Sequence, residues 1–522
     1  QELQLATFFS LFYFSINAGS LISTFLTPIL RNDVHCFDQD SCFPLAFAVP
    51  GVLMIISIVI FALGKPMYKI KEPRGNILVE VVKCIWYALT HRSGRSVDHW
   101  LDRSEDRYGS QLVNDIKSLL KVLVLYIPLP IFWALYDQQG SGWTFQAVRM
   151  NGSLGFYTIL PDQMQVVNPL LILAFIPLFT YWIYPLLAKC HLLKTPLQRM
   201  CCGGFLAAAA FAISAGVSMA LESTYPVLPQ AGEAQVRIYD TSNSHDSFTF
   251  VNNNTQYQVD SGYFMGTFKI DNEELKFQFD SNVIVNFAVT QKTAYGIFFT
   301  SKGGQTYIDN VDKSDDGYPL VRVLAYDQST SFVLQHSKQN VEIEAGNFNL
   351  TSLSYTGSYK LGDTQFDVDL GGTYTITIDK NNDVKVRTIT KPNSVHILWL
   401  LPQYFVITAA EIMFSITGLE FSYSQAPSTM KSVLQALFLL TTAFGNLIIV
   451  LIESAKIFEK QSNDFFLYTG LMLVDMLVFM WLAIRYKYVT NDDQESSSES
   501  DELNTTQENG KLNGIDNPAL KQ

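Results

Sequence analysis

The sequence predicts an α-helical membrane protein that carries an all-β insertion. Three observations point there. The chain of 522 residues is 48% hydrophobic and only 16% charged, where an ordinary soluble domain carries about 25% charged residues. Its apolar residues gather in runs long enough to cross a bilayer, which takes roughly 20 residues of helix. One long segment, 222–395, instead alternates apolar and polar residues at the period of a strand.

Eight runs qualify as spans, near 7–30, 44–64, 118–140, 166–188, 200–221, 396–420, 432–453 and 464–486. Two contain proline, in "YIPLPIFWALYDQQ" and "LWLLPQYFVITAAEIMFSITG". Broken spans are tolerated where they line a cavity and so point toward a binding site. Between the second and third spans, Lys65 to Lys117 holds ten Lys/Arg, and the connection after the fourth carries Lys189, Lys194 and Arg199. The positive-inside rule makes these connections cytoplasmic. The loop "RNDVHCFDQDSCF" and the 222–395 segment are then extracellular, and the C-terminal tail is inside. The run "ILVEVVKCIWYAL" in the cytoplasmic connection has a helical apolar pattern that suits a surface amphipathic helix bridging two bundles.

Within 222–395, runs such as "YFMGTFKI", "LKFQFD", "VIVNFAV" and "TYTITIDKNNDVKV" are punctuated by Gly, Asn and Asp, as in a sandwich of short strands. Its length suits two small lobes. Cys36 and Cys42 share one outer loop, where an oxidising compartment permits a disulfide. Sequons at Asn151, Asn253 and Asn349 fall in expected outer regions. The net charge of −12 is concentrated in the β segment and in an acidic, low-complexity tail expected to be disordered. That charge and the absence of a basic aromatic patch exclude nucleic acid as a partner. The chain begins at Gln1 with no basic n-region and short h-region, so no signal peptide is expected.

Polar groups in a span need a partner or a job. Glu411, deep in "ITAAEIMFSITG", is a candidate proton carrier or amine receptor. Trp133, Tyr136 and Asp137, spaced by three and four, share a helix face beside Gln138 and Gln139. This is either a surface for a polar solute or an interfacial aromatic belt. Asn17 and Asn168 read from spacing as interhelical hydrogen bonders, and Asp475 is given no role. No nucleophile–base pair, phosphate loop or metal spacing occurs, so no enzyme and no cofactor are expected.

The stretch "FSLFYFSINAGSL" resembles the second signature of the proton-dependent oligopeptide transporter family. "PLPIFWALYDQQGSGWTFQA", "PDQMQVVN" and "EIMFSITGLEFSYSQAPSTMKSVLQA" closely resemble the animal di- and tripeptide transporters of that family, solute carrier family 15. The resemblance implies a major facilitator superfamily fold, here partial, with eight of twelve helices corresponding to the fifth through twelfth. The β segment then stands where those transporters carry their extracellular domain, an immunoglobulin-like insertion. Residues 1–64 would hold the last two helices of the N-terminal bundle and 65–117 a cytoplasmic linker. The first three C-terminal helices would occupy 118–221, the β-sandwich domain 222–395, the last three helices 396–486 and the tail 487–522.

By the same resemblance, Glu411 meets a peptide's amino terminus, and Asn17 and Asn168 hydrogen-bond its backbone. Trp133, Tyr136, Gln139 and Tyr404 line the side-chain cavity. Lys121, Asp137 and Glu411 belong to gating or proton coupling. One departure is Thr180, which stands where the family places the acid opposite Lys121. The implied function is proton-coupled symport of di- and tripeptides across the plasma membrane, apical in epithelia, with protons as coupling ion and no cofactor. The alternative is a truncated, transport-inactive form that binds an extracellular protein partner through its β domain.

Overall fold

The computed structural model describes residues 2–32, 34, 36–37, 42–68, 77–91, 99–241, 248–252, 255–259, 262–270, 274–279, 284–300, 303–327, 331–345, 348–427 and 429–488. The sequon residue Asn253 and the acidic tail from residue 489 onward lie outside them.

The helical part opens with α1 (Glu2–Asn32), α2 (Phe43–Leu63) and α3 (Ile77–Thr90), followed by the short α4 (Glu105–Tyr108). Next come α5 (Ser110–Tyr126), α6 (Leu129–Tyr136), α7 (Gly142–Val148), α8 (Val167–Leu178), α9 (Tyr184–Lys189) and α10 (Pro196–Glu222). Beyond the strands lie α11 (Leu401–Glu411), α12 (Thr417–Ser424), α13 (Lys431–Ala455) and α14 (Gln461–Arg485). Among the described residues six helical segments are long and apolar enough to cross a membrane, or seven if the pair Ser110–Tyr126 and Leu129–Val148, bent by 45° at its break, is one span. Seven of the eight expected runs correspond to these segments, and the eighth, near 7–30, falls within α1, a single helix 31 residues long.

Local chemistry explains the main boundaries. Thr195 caps α10 by accepting from the Gln198 amide, Gln198 reaches back to the Thr195 amide, and Pro196 takes the first helical position. The "GGFLAAAAFAISAG" run then lets α11 and α14 pack closely on α10. A Cβ on Gly203 would stand 2.9 Å from the Ala410 carbonyl oxygen, just behind Glu411. On α13, a Cβ on Gly445 would stand 2.6 Å from the Pro130 carbonyl oxygen and 2.8 Å from the Ala134 nitrogen. Backbone cannot swing aside as a side chain does, so Gly445→Ala is expected to cost about 1–3 kcal/mol. An unchanged thermal midpoint in purified protein would refute that close approach. Helix α3 buries Val81, Cys84 and Ala88, while Val82, Trp86 and Leu89 are exposed. Both of its faces are thus partly apolar, as suits a helix lying along a membrane surface.

Among the described residues sixteen strands follow α10. They are β1 (Glu233–Asp240), β2 (Phe248–Asn252), β3 (Thr255–Val259), β4 (Tyr263–Lys269), β5 (Glu274–Phe279), β6 (Ile284–Ala288), β7 (Thr293–Thr300) and β8 (Gly303–Ile308). The second eight are β9 (Leu320–Ala325), β10 (Ser331–Gln335), β11 (Asn340–Glu344), β12 (Thr351–Ser352), β13 (Gly357–Leu361), β14 (Thr364–Val368), β15 (Thr373–Ile378) and β16 (Val384–Thr390). The first eight form sheets ordered β4-β1-β7-β8 and β3-β2-β5-β6. The second eight form β12-β9-β15-β16 and β11-β10-β13-β14. Adding eight to each strand of the first pair yields the second pair, and β1–β7 and β9–β15 are both parallel. The unit is therefore a tandem repeat of one eight-stranded topology.

Each lobe has its own core. Val236, Ile238, Phe277 and Ile297 fill the first, and Val323, Leu334, Tyr359 and Ile376 the second. A third cluster, Tyr239, Phe298, Tyr307 and Leu324, joins the lobes. Strand alternation sends Arg237 and Arg322 from β1 and β9 into this junction, where both pair with Asp309. The three side chains are 4%, 1% and 0% exposed.

The β unit is bolted to the helices through the segment between β8 and β9. The Lys313 ammonium donates to the Lys391 carbonyl at 2.6 Å and to Asn393 Oδ1 at 3.0 Å, and Asn393 Nδ2 donates to the Met150 carbonyl at 3.2 Å. Burial, aided by nearby Arg149, pushes the Lys313 ammonium from 10.5 down to about 8. Below pH 8 both folded and unfolded chains hold that proton, and the burial penalty is felt in full. Between pH 8 and 10.5 only the unfolded chain holds it, so stability rises with pH across that window. Lys313→Met is expected to flatten the rise in thermal-unfolding midpoint. A variant that keeps the wild-type slope would show another group responsible.

Candidate functional site

The site forms where three interrupted helices meet. The chain bends between α5 and α6 and passes into a 3-10 turn at Asp137–Gly140. Helix α8 follows a 3-10 turn at Pro161–Val166 and ends in a π turn at Phe179–Ile183. Helix α11 runs into a π turn at Ile412–Ile416 directly after Glu411. Such irregular turns are frequent at functional sites.

At the centre, Asn168 Nδ2 donates to Glu411 Oε2 at 2.8 Å and to Thr408 Oγ1 at 3.1 Å. Tyr136 is a further hydrogen-bonding neighbour of the Glu411 carboxyl, and Asp137 lies within electrostatic reach. Asp137 itself hydrogen-bonds Asn446 of α13. Asn168 and Glu411 are each 9% exposed. Among the described residues no ion pair reaches Glu411. The carboxyl is held by uncharged groups, an arrangement that accepts either a proton or an incoming ammonium.

An aromatic wall stands beside it. Trp133 lies edge-on to Tyr136 at 5.8 Å, and Phe132 stacks on Phe414 at 3.8 Å. Trp133 Nε1 is buried without a hydrogen-bond partner among the described residues, so it is a donor available to a ligand. Gln139 Nε2 donates to the Tyr136 carbonyl at 3.1 Å. Gln138 instead caps its own turn, accepting from the Ser141 hydroxyl and the Gly142 amide. Asn17 is buried on α1, which packs against α8 and the turn before it.

Other candidates stand apart. Tyr404 does not face open space. It is fully buried with its ring edge-on to Trp143 at 5.0 Å, because α7 covers that stripe of α11. Lys121 is exposed on α5 and makes no ion pair among the described residues, while the Thr180 hydroxyl donates to its own helix at the Ile176 carbonyl. Asp475 has a buried Oδ2 without a hydrogen-bond partner among the described residues and lies outside the cluster. Cys36 and Cys42 are joined as a disulfide. Asn349 is exposed; Asn151 is half-buried, and its main chain bridges Val395 and Ile397.

Sequence reasoning missed three features. Thr408 joins the Asn168–Glu411 pair and stands one turn before Glu411 in "TAAE". Gln146 donates to Ser218 and accepts from Gln403, a buried polar set off the site. Arg31, in the last turn of α1, pairs with Asp162 at 3.0 Å, linking α1 to the turn that opens α8. Its only sequence sign was a lone cation at the end of an apolar run. A cavity of about 1070 Å³ lies near the β unit, lined by Arg149, Glu222, Asp312, Glu453 and Asp464 among others, and no candidate residue lines it.

Comparison with known proteins agrees with this architecture. The family model described as POT family matches residues 1–269 and 375–470. Human solute carrier family 15 member 2 is 40% identical over 532 residues, covering 94% of this chain and 72% of that protein. Peptide transporter family 1 of Drosophila melanogaster is 38% identical over 571 residues, covering all of this chain and 75% of that protein. The crystal structure of an auto-inhibited POT family peptide transporter superposes with a TM-score of 0.55 at 18% identity, covering 94% of this chain and 72% of that one. At that identity the likeness speaks for the fold alone. The chain belongs to the POT family and is an α-helical, multi-pass membrane transporter of the major-facilitator type rather than an enzyme.

Proposed function

We propose that the protein carries di- and tripeptides across the plasma membrane, driven by protons and working by alternating access. The observation that carries this reading is the Asn168–Glu411 pair, a buried carboxyl whose hydrogen-bond partners among the described residues are uncharged, beside an aromatic wall. A peptide's ammonium supplies the missing cation. Asn17 and Asn168 serve its backbone, common to every peptide. Trp133, Tyr136 and Gln139 accept varied side chains. The names of the relatives, among them a peptide transporter, support the substrate class.

Glu411 and Asp137 are the proposed proton sites, since each is a carboxyl at the same cluster and a bound peptide competes with the proton at Glu411. Arg31 and Asp162 form the outer closure, because they tie α1 to α8 at the end that carries the β unit. Lys121 is assigned to the opposite side, where Thr180 offers it no countercharge. The β unit is an extracellular, immunoglobulin-like insertion, and sequons at Asn151, Asn253 and Asn349 are its expected carbohydrate sites and that of the neighbouring loop.

The test is radiolabelled dipeptide uptake by the full-length protein against external pH. Uptake that rises as external pH falls supports symport; pH-independent uptake removes the coupling. The alternative, a transport-inactive membrane protein that binds an outside protein partner through the β unit, requires no uptake despite normal surface expression.

A further inference from the structure

We propose that the β unit is a working part of the outer gate, acting through Tyr318 as a latch on α1. The inference rests on the alternating-access reading above. Its starting point is a single side-chain contact: the Tyr318 hydroxyl donates to Asn32 Oδ1. Tyr318 stands in the segment between the two lobes, and Asn32 is the last residue of α1.

The two ends of this contact belong to different moving parts. On the β side, the segment is fixed to the helices that follow α6. Gly317 has φ +77°, and a Cβ there would stand 2.5 Å from the Val148 carbonyl oxygen. The Asn151 amide donates to the Val395 carbonyl and the Ile397 amide to the Asn151 carbonyl, each at 2.8 Å. The loop is braced internally as well: the Tyr318 amide donates to Asp316 Oδ1 at 3.0 Å, and its carbonyl accepts from the Ser314 hydroxyl at 2.7 Å. Tyr318 therefore travels with α7 and α11. On the other side, Asn32 travels with α1, whose neighbouring Arg31 closes on Asp162.

Separation of α1 from α8 must break two contacts of different kinds. The Arg31–Asp162 ion pair is partly exposed, with side chains 26% and 33% accessible, and weakens with salt. The Tyr318–Asn32 bond is uncharged and insensitive to ionic strength. An extracellular unit of this size thus biases the gate toward closure through one hydroxyl, and anything that tilts the unit shifts that bias.

Amide hydrogen exchange of the full-length protein in lipid nanodiscs tests this without relying on transport. Tyr318→Phe keeps the ring and removes only the hydroxyl. It is expected to raise exchange roughly two- to tenfold at residues 25–32 and at Pro161–Val166, the effect of one lost hydrogen bond. Asn32→Ala should do the same, and the double variant should add nothing further. If Arg31→Ala raises exchange at Pro161–Val166 while Tyr318→Phe and Asn32→Ala leave it unchanged, the latch is overturned and the gate stands. If Arg31→Ala also leaves it unchanged, the gate reading itself fails. As an independent arm, bridging Asn32→Cys and Tyr318→Cys with a bifunctional thiosulfonate as long as the lost tyrosine should arrest dipeptide uptake until reductant is added. Normal uptake by fully bridged protein overturns the proposal.

Discussion

Glu411→Gln in the full-length protein is expected to abolish nearly all proton-driven dipeptide uptake while leaving surface expression intact. The substitution keeps the size of the side chain and leaves Asn168 and Thr408 with a hydrogen-bonding partner. What it removes is the charge. Removing one member of a buried, hydrogen-bonded charge pair costs about 2–5 kcal/mol, a roughly thirtyfold or greater loss of affinity for a peptide ammonium. It also removes one proposed proton site, so the pH dependence of residual uptake should flatten. Kinetics of uptake across external pH, with surface protein quantified in parallel, decide the matter. Near-normal uptake with the wild-type pH profile would strip Glu411 of both roles.

The second large effect concerns stability. Asp309 is the only acid that meets Arg237 and Arg322 in the described ion pairs at the lobe junction. Asp309→Ala leaves two buried guanidinium groups uncompensated, which costs about 3–5 kcal/mol. Scanning calorimetry of the full-length protein should show the β-unit transition moving down by several degrees or more, since each kcal/mol is worth about 2–4 °C in a unit of this size. Exchanging all three residues for apolar ones of similar volume should recover most of the loss, because burying three charged groups is itself expensive. A small effect of Asp309→Ala would mean that the junction is held by Tyr239, Phe298 and Leu324 instead.

The helical framework was largely legible because lipid-compatible segments announce themselves by length and composition. Runs such as that of α2 need no tertiary information to be recognised. Alternating runs in the β segment coincide with β4, β5 and β15. The strand-order repeat did not show, because topology is set by long-range pairing that leaves little trace in short strands. Arg237 and Arg322 drew no expectation from the sequence, because what buries them is the apposition of the two lobes around Asp309.

At the site, family motifs marked Asn168 and Glu411, and their mutual contact then required a structure. Residues that act through position were invisible. Trp143 covering Tyr404, or Asn446 meeting Asp137, depends on how α7 and α13 lie against their neighbours. Spacing along one helix carries no such information. The Tyr318–Asn32 contact joins residues 286 positions apart and leaves no local sign.

The two π turns have a mechanical consequence. Each widens one turn, leaves its carbonyls without the usual partner four residues on, and so softens the helix at that level. Asn168 precedes one and Glu411 the other, so both proposed ligands sit on the regular segments nearest the β unit. The soft levels fall beyond them, toward the opposite end. α8 and α11 thereby share a level of altered hydrogen bonding beyond the proposed peptide site. Under the proposed alternating-access cycle the far halves would bend there, and the segments that carry Asn168 and Glu411 would keep their shape.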